Sequence, residues 1–136
     1  MARHFVVTAD GGSRGNPGAA AYGAVVYEND KVVKEIGAAI GEASNNVAEY
    51  SGLVAALAAA HEIDPNAQIE VRMDSKLVVE QMSGNWKIKH ENMKGLVEKA
   101  RNAFAQSQVK YVWVPREDNL AADTLLNIAL DAELNQ

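Results

Sequence analysis

The chain has 136 residues, 48% of them hydrophobic, with 18 acidic against 13 basic residues and a formal charge of −5. That length suffices for one domain spanning 1–136 with a real core. The absence of cysteine excludes a disulfide framework and a thiolate metal site, and fits a reducing, cytoplasmic setting.

Residues 4–9 read as a short buried strand that follows Met1-Ala2-Arg3 directly, with no signal-peptide core. No apolar run is long enough to span a bilayer, so no membrane is expected. Residues 10–18 form a dense turn signal. Residues 20–28 and 32–41 then read as a hairpin about Asn29-Asp30. The longest helical pattern covers 46–62, with Val47, Tyr50, Leu53, Val54, Leu57 and Ala58 on one face. Asp64-Pro65-Asn66 closes it. Residues 68–73 alternate as a strand, Asp74-Ser75 opens a short helix ending near Ser83-Gly84, and a further helix covers roughly 90–106. A last strand runs from Val109 to Val114, and Asn119 to about Glu133 is the final helix. The order predicts an α/β layer with a five-stranded mixed sheet flanked by helices. An antiparallel meander comes first, then two strands reached by crossovers.

Four carboxylates occupy comparable places in this pattern. Asp10 ends the first strand, Asp74 ends the fourth, and Glu49 and Asp123 lie in the first turns of helices. Each has an ordinary alternative: Asp10 as a turn residue, Asp74 as a helix cap, Asp123 as a partner of the helix dipole. Glu49 three residues after Asn46 matches a capping box. Groups just past strand ends converge on one crevice in an open α/β sheet. Acids gathered there repel one another unless a cation joins them. Oxygen-only ligation points to Mg²⁺, with Mn²⁺ as a substitute. Net acidity argues against bulk attraction of nucleic acid. Without those four acids, however, 14 acids face 13 bases, and a local basic face remains open.

The flanking residues carry a family resemblance. Thr8-Ala9-Asp10-Gly11-Gly12 with Gly15-Asn16-Pro17-Gly18, then Asn45-Asn46-Val47-Ala48-Glu49, Asp74-Ser75, and Asn119-Leu120-Ala121-Ala122-Asp123 together resemble ribonuclease H type 1, in family order over nearly the whole chain. The resemblance implies the RNase H-like fold and an endoribonuclease that cleaves the RNA strand of RNA–DNA hybrids, leaving 5′-phosphate and 3′-hydroxyl ends. It implies Asp10, Glu49, Asp74 and Asp123 as catalytic ligands of two Mg²⁺ ions, with Asp10 the bridging ligand. Gly11, Gly12, Asn16 and Asn46 are candidates for contacting the RNA sugar; at the glycines no Cβ would obstruct a close approach.

Two departures stand out. Many relatives carry a basic helical protrusion between the fourth and fifth strands. Here the region is only Gly84-Asn85-Trp86-Lys87-Ile88-Lys89-His90-Glu91, which still offers Trp86, Lys87 and Lys89, with Lys94 a turn on. An aromatic among lysines suits a sugar–phosphate backbone; the alternative makes Trp86 a core plug. Relatives also often place a His in the loop before the last helix. Residues 115–119 contain none, and Arg116 is the phosphate-contact candidate there, with Lys76 a further one. The expected chain is a monomer, with double-stranded RNA as a second candidate substrate. The competing reading is a non-catalytic hybrid or duplex-RNA binding module of the same fold.

Overall fold

The computed structural model describes residues 2–134. Its elements are β1 (His4–Arg14), β2 (Gly18–Glu28), β3 (Lys31–Ala43), α1 (Asn45–Ile63), β4 (Gln68–Met73), α2 (Lys76–Met82), α3 (Glu91–Ala103), β5 (Val109–Trp113) and α4 (Leu120–Leu134), with two short 3₁₀ turns flanking β5. The five strands form one sheet in the order β3-β2-β1-β4-β5. Strands β1, β2 and β3 pair antiparallel, while β4 lies parallel to β1 and β5 parallel to β4. The mixed sheet is the one expected from the sequence.

The meander turns where expected. Asn29 and Asp30 take φ of 54° and 64°, the left-handed pair that a two-residue hairpin turn needs and that Asn and Asp tolerate. The first strand is longer than expected. It continues through the glycine-rich stretch to Arg14, with Asp10 opposite Gly23 and Ser13 opposite Ala20 on β2. Asp10 is therefore not at a strand end. Its parallel ladder with β4 has already stopped at Thr8↔Arg72, while the antiparallel ladder with β2 carries on.

Successive strand residues face opposite sides of a sheet, and glycines mark where the two layers touch. A Cβ on Gly23 would lie 2.1 Å from the Ala122 carbonyl of α4, whereas one on Gly11, opposite Tyr22, would lie 2.2 Å from Ala48 of α1. Helices α1 and α4 thus cover opposite faces. The α1 side holds the main core, with Phe5, Val7, Ala9, Tyr50, Leu53 and Leu57 all but fully buried. A smaller cluster of Ala21, Leu126 and Leu130 seals α4. Helix α1 buries a wider arc than its expected face: Ala56, Ala59 and Ala60 are buried too, while Ala58 is exposed. Small alanines let it pack close on three sides. Among the described residues no helix is long and apolar enough to cross a membrane.

Candidate active site

Serines, not the acids, cap the two helices beside the site. Ser44 Oγ accepts from Val47 N–H at 3.2 Å and begins α1. The capping-box reading of Asn46 and Glu49 therefore fails, and Glu49 lies beyond the first turn, as the fifth residue of the helix. Likewise Ser75 Oγ accepts from Val78 N–H at 3.3 Å and caps α2, so Asp74 is free of that duty. The reason is register. In each case a hydroxyl stands three residues before the N–H that needs a partner.

Gly11 brings β1 and α1 together. A Cβ there would sit 2.2–2.3 Å from Ala48 and the Glu49 nitrogen, so only glycine lets the two backbones meet where Asp10 and Glu49 emerge. The bare Cα of Gly11 faces α1. Gly12 differs, since a Cβ there would meet nothing closer than 3.7 Å.

Asp10, Glu49, Asp74 and Asp123 line one cavity of about 270 Å³, together with Gly11, Gly12, Arg14, Arg116 and Asn127. Asp10 is 8% exposed, and its Oδ1 accepts from Gly11 N–H at 3.0 Å. Asn119 Nδ2 donates to Asp74 Oδ1 at 2.7 Å and to the Ala9 carbonyl at 2.9 Å. The Asp74 carbonyl also accepts from Trp113 Nε1 at 3.2 Å. Asp123 is the fourth residue of α4, with Arg116 3.8 Å from its Oδ1.

Asn119 is the residue that sequence reasoning passed over. It is 2% exposed and cross-ties β1 to Asp74, and its Oδ1 is buried without a partner. Its place four residues before Asp123 was the available signal.

The cluster perturbs its own acids. Burial, then Asp74, then Asp123 and Glu49, push Asp10 up to about 8. Burial pushes Glu49 up to about 7, reinforced by Asp74 and partly offset by the Ser75 hydroxyl. Both shifts favour a neutral form, or charge neutralised by a cation. The lining offers carboxylate oxygens and no His or Cys, a donor set for a hard cation. Among the described residues no three such acids stand ready as a metal cage.

A second cavity of about 440 Å³ gathers Asn46, Leu77, Gln81, Asn85, Trp86, Lys87, Lys89, His90 and Met93. Trp86 is 46% exposed, so it is not a core plug. The remaining candidates fall outside both cavity linings. Asn16 Oδ1 accepts from Asn45 N–H at 3.1 Å, pinning the β1–β2 turn to the start of α1. Lys76 lies over the Trp113 ring, 5.6 Å from its centroid, and 3.8 Å from Glu80. Lys94 pairs with Glu91 at 2.7 Å.

Comparison with known proteins gives a consistent picture. Residues 8–129 match the family model described as reverse transcriptase-like. A bifunctional protein of Mycobacterium tuberculosis is 52% identical over 130 residues, which is 93% of this chain and 35% of that protein. The chain thus spans about a third of the length of such curated relatives. The N-terminal RNase H domain of that protein, solved as a fusion with maltose-binding protein, superposes with a TM-score of 0.92 at 50% identity, covering 98% of each chain. LC11-RNase H1, solved in complex with an RNA/DNA hybrid, gives 0.90 at 38% identity, over 96% of this chain and 99% of that one. The ribonuclease H1 of Halobacterium salinarum gives 0.87 at 41% identity, over 95% and 98%.

Proposed function

The chain belongs to the type 1 ribonuclease H family, and from that premise we propose that it cleaves the RNA strand of RNA–DNA hybrids at the four-carboxylate cavity, leaving 5′-phosphate and 3′-hydroxyl ends. The observation that carries this reading is the meeting of Asp10 from β1, Glu49 from α1, Asp74 from the β4–α2 connection and Asp123 from α4 in one cavity. Buried like charges are costly, and two of these acids have raised proton affinities. A binding module gains nothing from that repulsion, whereas a metal-dependent nuclease uses it.

The four side chains would hold two divalent cations, Mg²⁺ or Mn²⁺, which supply activation of water and stabilisation of the leaving 3′-oxygen. The chain's own residues do the positioning. Gly11 N–H orients the Asp10 carboxylate, and Asn119 fixes Asp74 against β1. Arg116 stands at the cavity wall, where its guanidinium suits a phosphate of the scissile strand. Gly12 leaves that wall flat enough for a sugar. At the second cavity Trp86, Lys87 and Lys89 would take the other strand, by stacking and phosphate contact, while Asn46 in the same lining would contact the RNA sugar.

The test is cleavage of end-labelled RNA–DNA hybrid, duplex RNA and duplex DNA with Mg²⁺, Mn²⁺ or EDTA. Hybrid cut on its RNA strand with either cation, and intact in EDTA, is the expected result. Binding without any cleavage would replace this reading with the non-catalytic one.

A further inference from the structure

We propose that Gln81 is a positioning residue whose buried amide ties the basic loop 84–90 to the helix bearing Glu49, and so sets the strength of the grip on the duplex. The inference rests on the hybrid reading above for its consequence, though not for its geometry.

The start of the loop is held by the end of α2. Gly84 N–H donates to the Gln81 carbonyl at 3.1 Å, and the N–H groups of Asn85 and Trp86 donate to the Glu80 carbonyl at 2.9 and 3.2 Å. Beyond Trp86 that support runs out. Ile88 packs against the main core, and the Lys87 carbonyl accepts from Gln81 Nε2 at 2.9 Å. The opposite end of the same amide, Oε1, accepts from the Tyr50 hydroxyl at 2.6 Å. Tyr50 is fully buried on α1, next in sequence to Glu49.

The amide has one workable orientation. A backbone carbonyl can only accept, so the NH₂ must face Lys87 and the oxygen is left for the tyrosine. Gln81 is 2% exposed, where an uncharged apolar side chain would incur no desolvation cost. The neighbouring inward positions, Val78 and Val79, are apolar. A fully satisfied amide there adds a directional link, beside the packing of Ile88, between the acid-bearing helix and the loop with Trp86, Lys87 and Lys89.

Gln81 also forms part of the wall of the cavity those three residues line. Long lysine side chains lose freedom on binding, and a loop that is already ordered pays less of that cost.

The test substitutes Gln81→Met, which keeps length and removes both hydrogen bonds. Hybrid affinity, measured with Ca²⁺ in place of Mg²⁺, should weaken by roughly three- to tenfold, the value of about one hydrogen bond. In a Lys87→Ala/Lys89→Ala background the same change should have little further effect, because the residues it positions are gone. Fluorescence anisotropy of Trp86, isolated by Trp113→Phe, should show faster local motion in Gln81→Met without any substrate present. Should the methionine variant not fold, Tyr50→Phe cuts the same tether at its α1 end by removing the hydroxyl that donates to Gln81 Oε1, and should behave alike. Unchanged Trp86 motion would overturn the proposal, as would an affinity loss that persists undiminished in the double-lysine background. Failure of the unmutated chain to bind hybrid would instead overturn the functional reading, with the Trp86 measurement still judging the tether.

Discussion

Replacing Asp10 with Asn should remove cleavage and yet raise the stability of the metal-free protein. Asp10 ordinarily titrates at 3.8, and here is pushed up to about 8 by burial and by Asp74, Asp123 and Glu49. At about 1.4 kcal/mol per pKa unit, keeping it neutral at pH 7 costs about 4 kcal/mol. Asn is neutral at every pH. Its Oδ1 can still accept from Gly11 N–H, as Asp10 does at 3.0 Å, and its NH₂ can donate to Asp123. We expect a gain of about 2–4 kcal/mol at pH 7 in EDTA. At about 3–5 °C per kcal/mol for a chain of this length, the melting temperature should rise by roughly 6–20 °C. The sign with pH follows from the raised value. The folded form binds this proton more tightly than the unfolded one, so wild-type stability is complete below about pH 4. It is lost as pH rises through about 8. The advantage of the variant should therefore vanish near pH 4 and grow towards pH 8. Mg²⁺ should stabilise the wild type more than the variant, because the charge it neutralises is gone. Calorimetry in EDTA at pH 4, 6 and 8, with hybrid cleavage alongside, checks all of this. A variant that melts below wild type at pH 8 would make Asp10 structural, and near-normal cleavage would end its assignment as a metal ligand.

Glu49→Gln should leave stability at pH 7 equal or higher, because Ser44 rather than Glu49 caps α1 and Glu49 is raised to about 7 by burial; Mg²⁺-dependent cleavage should fall roughly a hundredfold or more. A clear drop in melting temperature with cleavage retained would return Glu49 to a structural role. Gly11→Ala should cost about 3 kcal/mol or more in denaturant titration, since its Cβ would lie 2.2 Å from the α1 backbone. A cost below about 1 kcal/mol would show that α1 shifts freely. Hybrid affinity with Ca²⁺, read from about 50 to 200 mM salt, should show a shallow slope of about two to four in log–log form. Lys87→Ala with Lys89→Ala should lower that slope by up to about two, and an unchanged slope would move the phosphate contacts to Arg14, Lys76 or Arg116.

The layered fold was legible because its signals are periodic. Strands β4 and β5, the hairpin at Asn29-Asp30 and helix α1 each announce themselves by alternation, left-handed turn residues or helical spacing. The extension of β1 to Arg14 was not legible. Glycines at 11 and 12 read as turn residues, and their pairing with Tyr22 and Ala21 is decided by β2, far along the chain. Convergence of the four acids was anticipated, although Asp10 lies within β1 rather than at its end and Glu49 beyond the first turn of α1. What stayed hidden was which polar residue performs each local duty. Asn46 and Asp74 are good caps by type, yet Ser44 and Ser75 do the capping, because propensity ranks residue types and cannot assign one of two candidates one or two residues apart. Asn119 and Gln81 were hidden for a related reason. Each spans two elements through one buried amide, a long-range relation that leaves no local period in the sequence.

Around the cavity the duties are divided so that neither Asp10 nor Glu49 has to cap a helix or tie two elements together. Serines supply the caps, glycine lets β1 and α1 touch, and Asn119 ties Asp74 to β1. Asp10 and Glu49 are then left with repulsion and burial as their main contribution to folding. This division has a consequence in sign. Substitutions that neutralise Asp10 or Glu49 should separate stability from activity, raising one while abolishing the other. Substitutions at Gly11 or Asn119 should lower both together, because those residues act on the chemistry only by holding the scaffold in place. A scaffold residue that lost activity while gaining stability would break the rule, and would mark a chemical role that its position does not reveal.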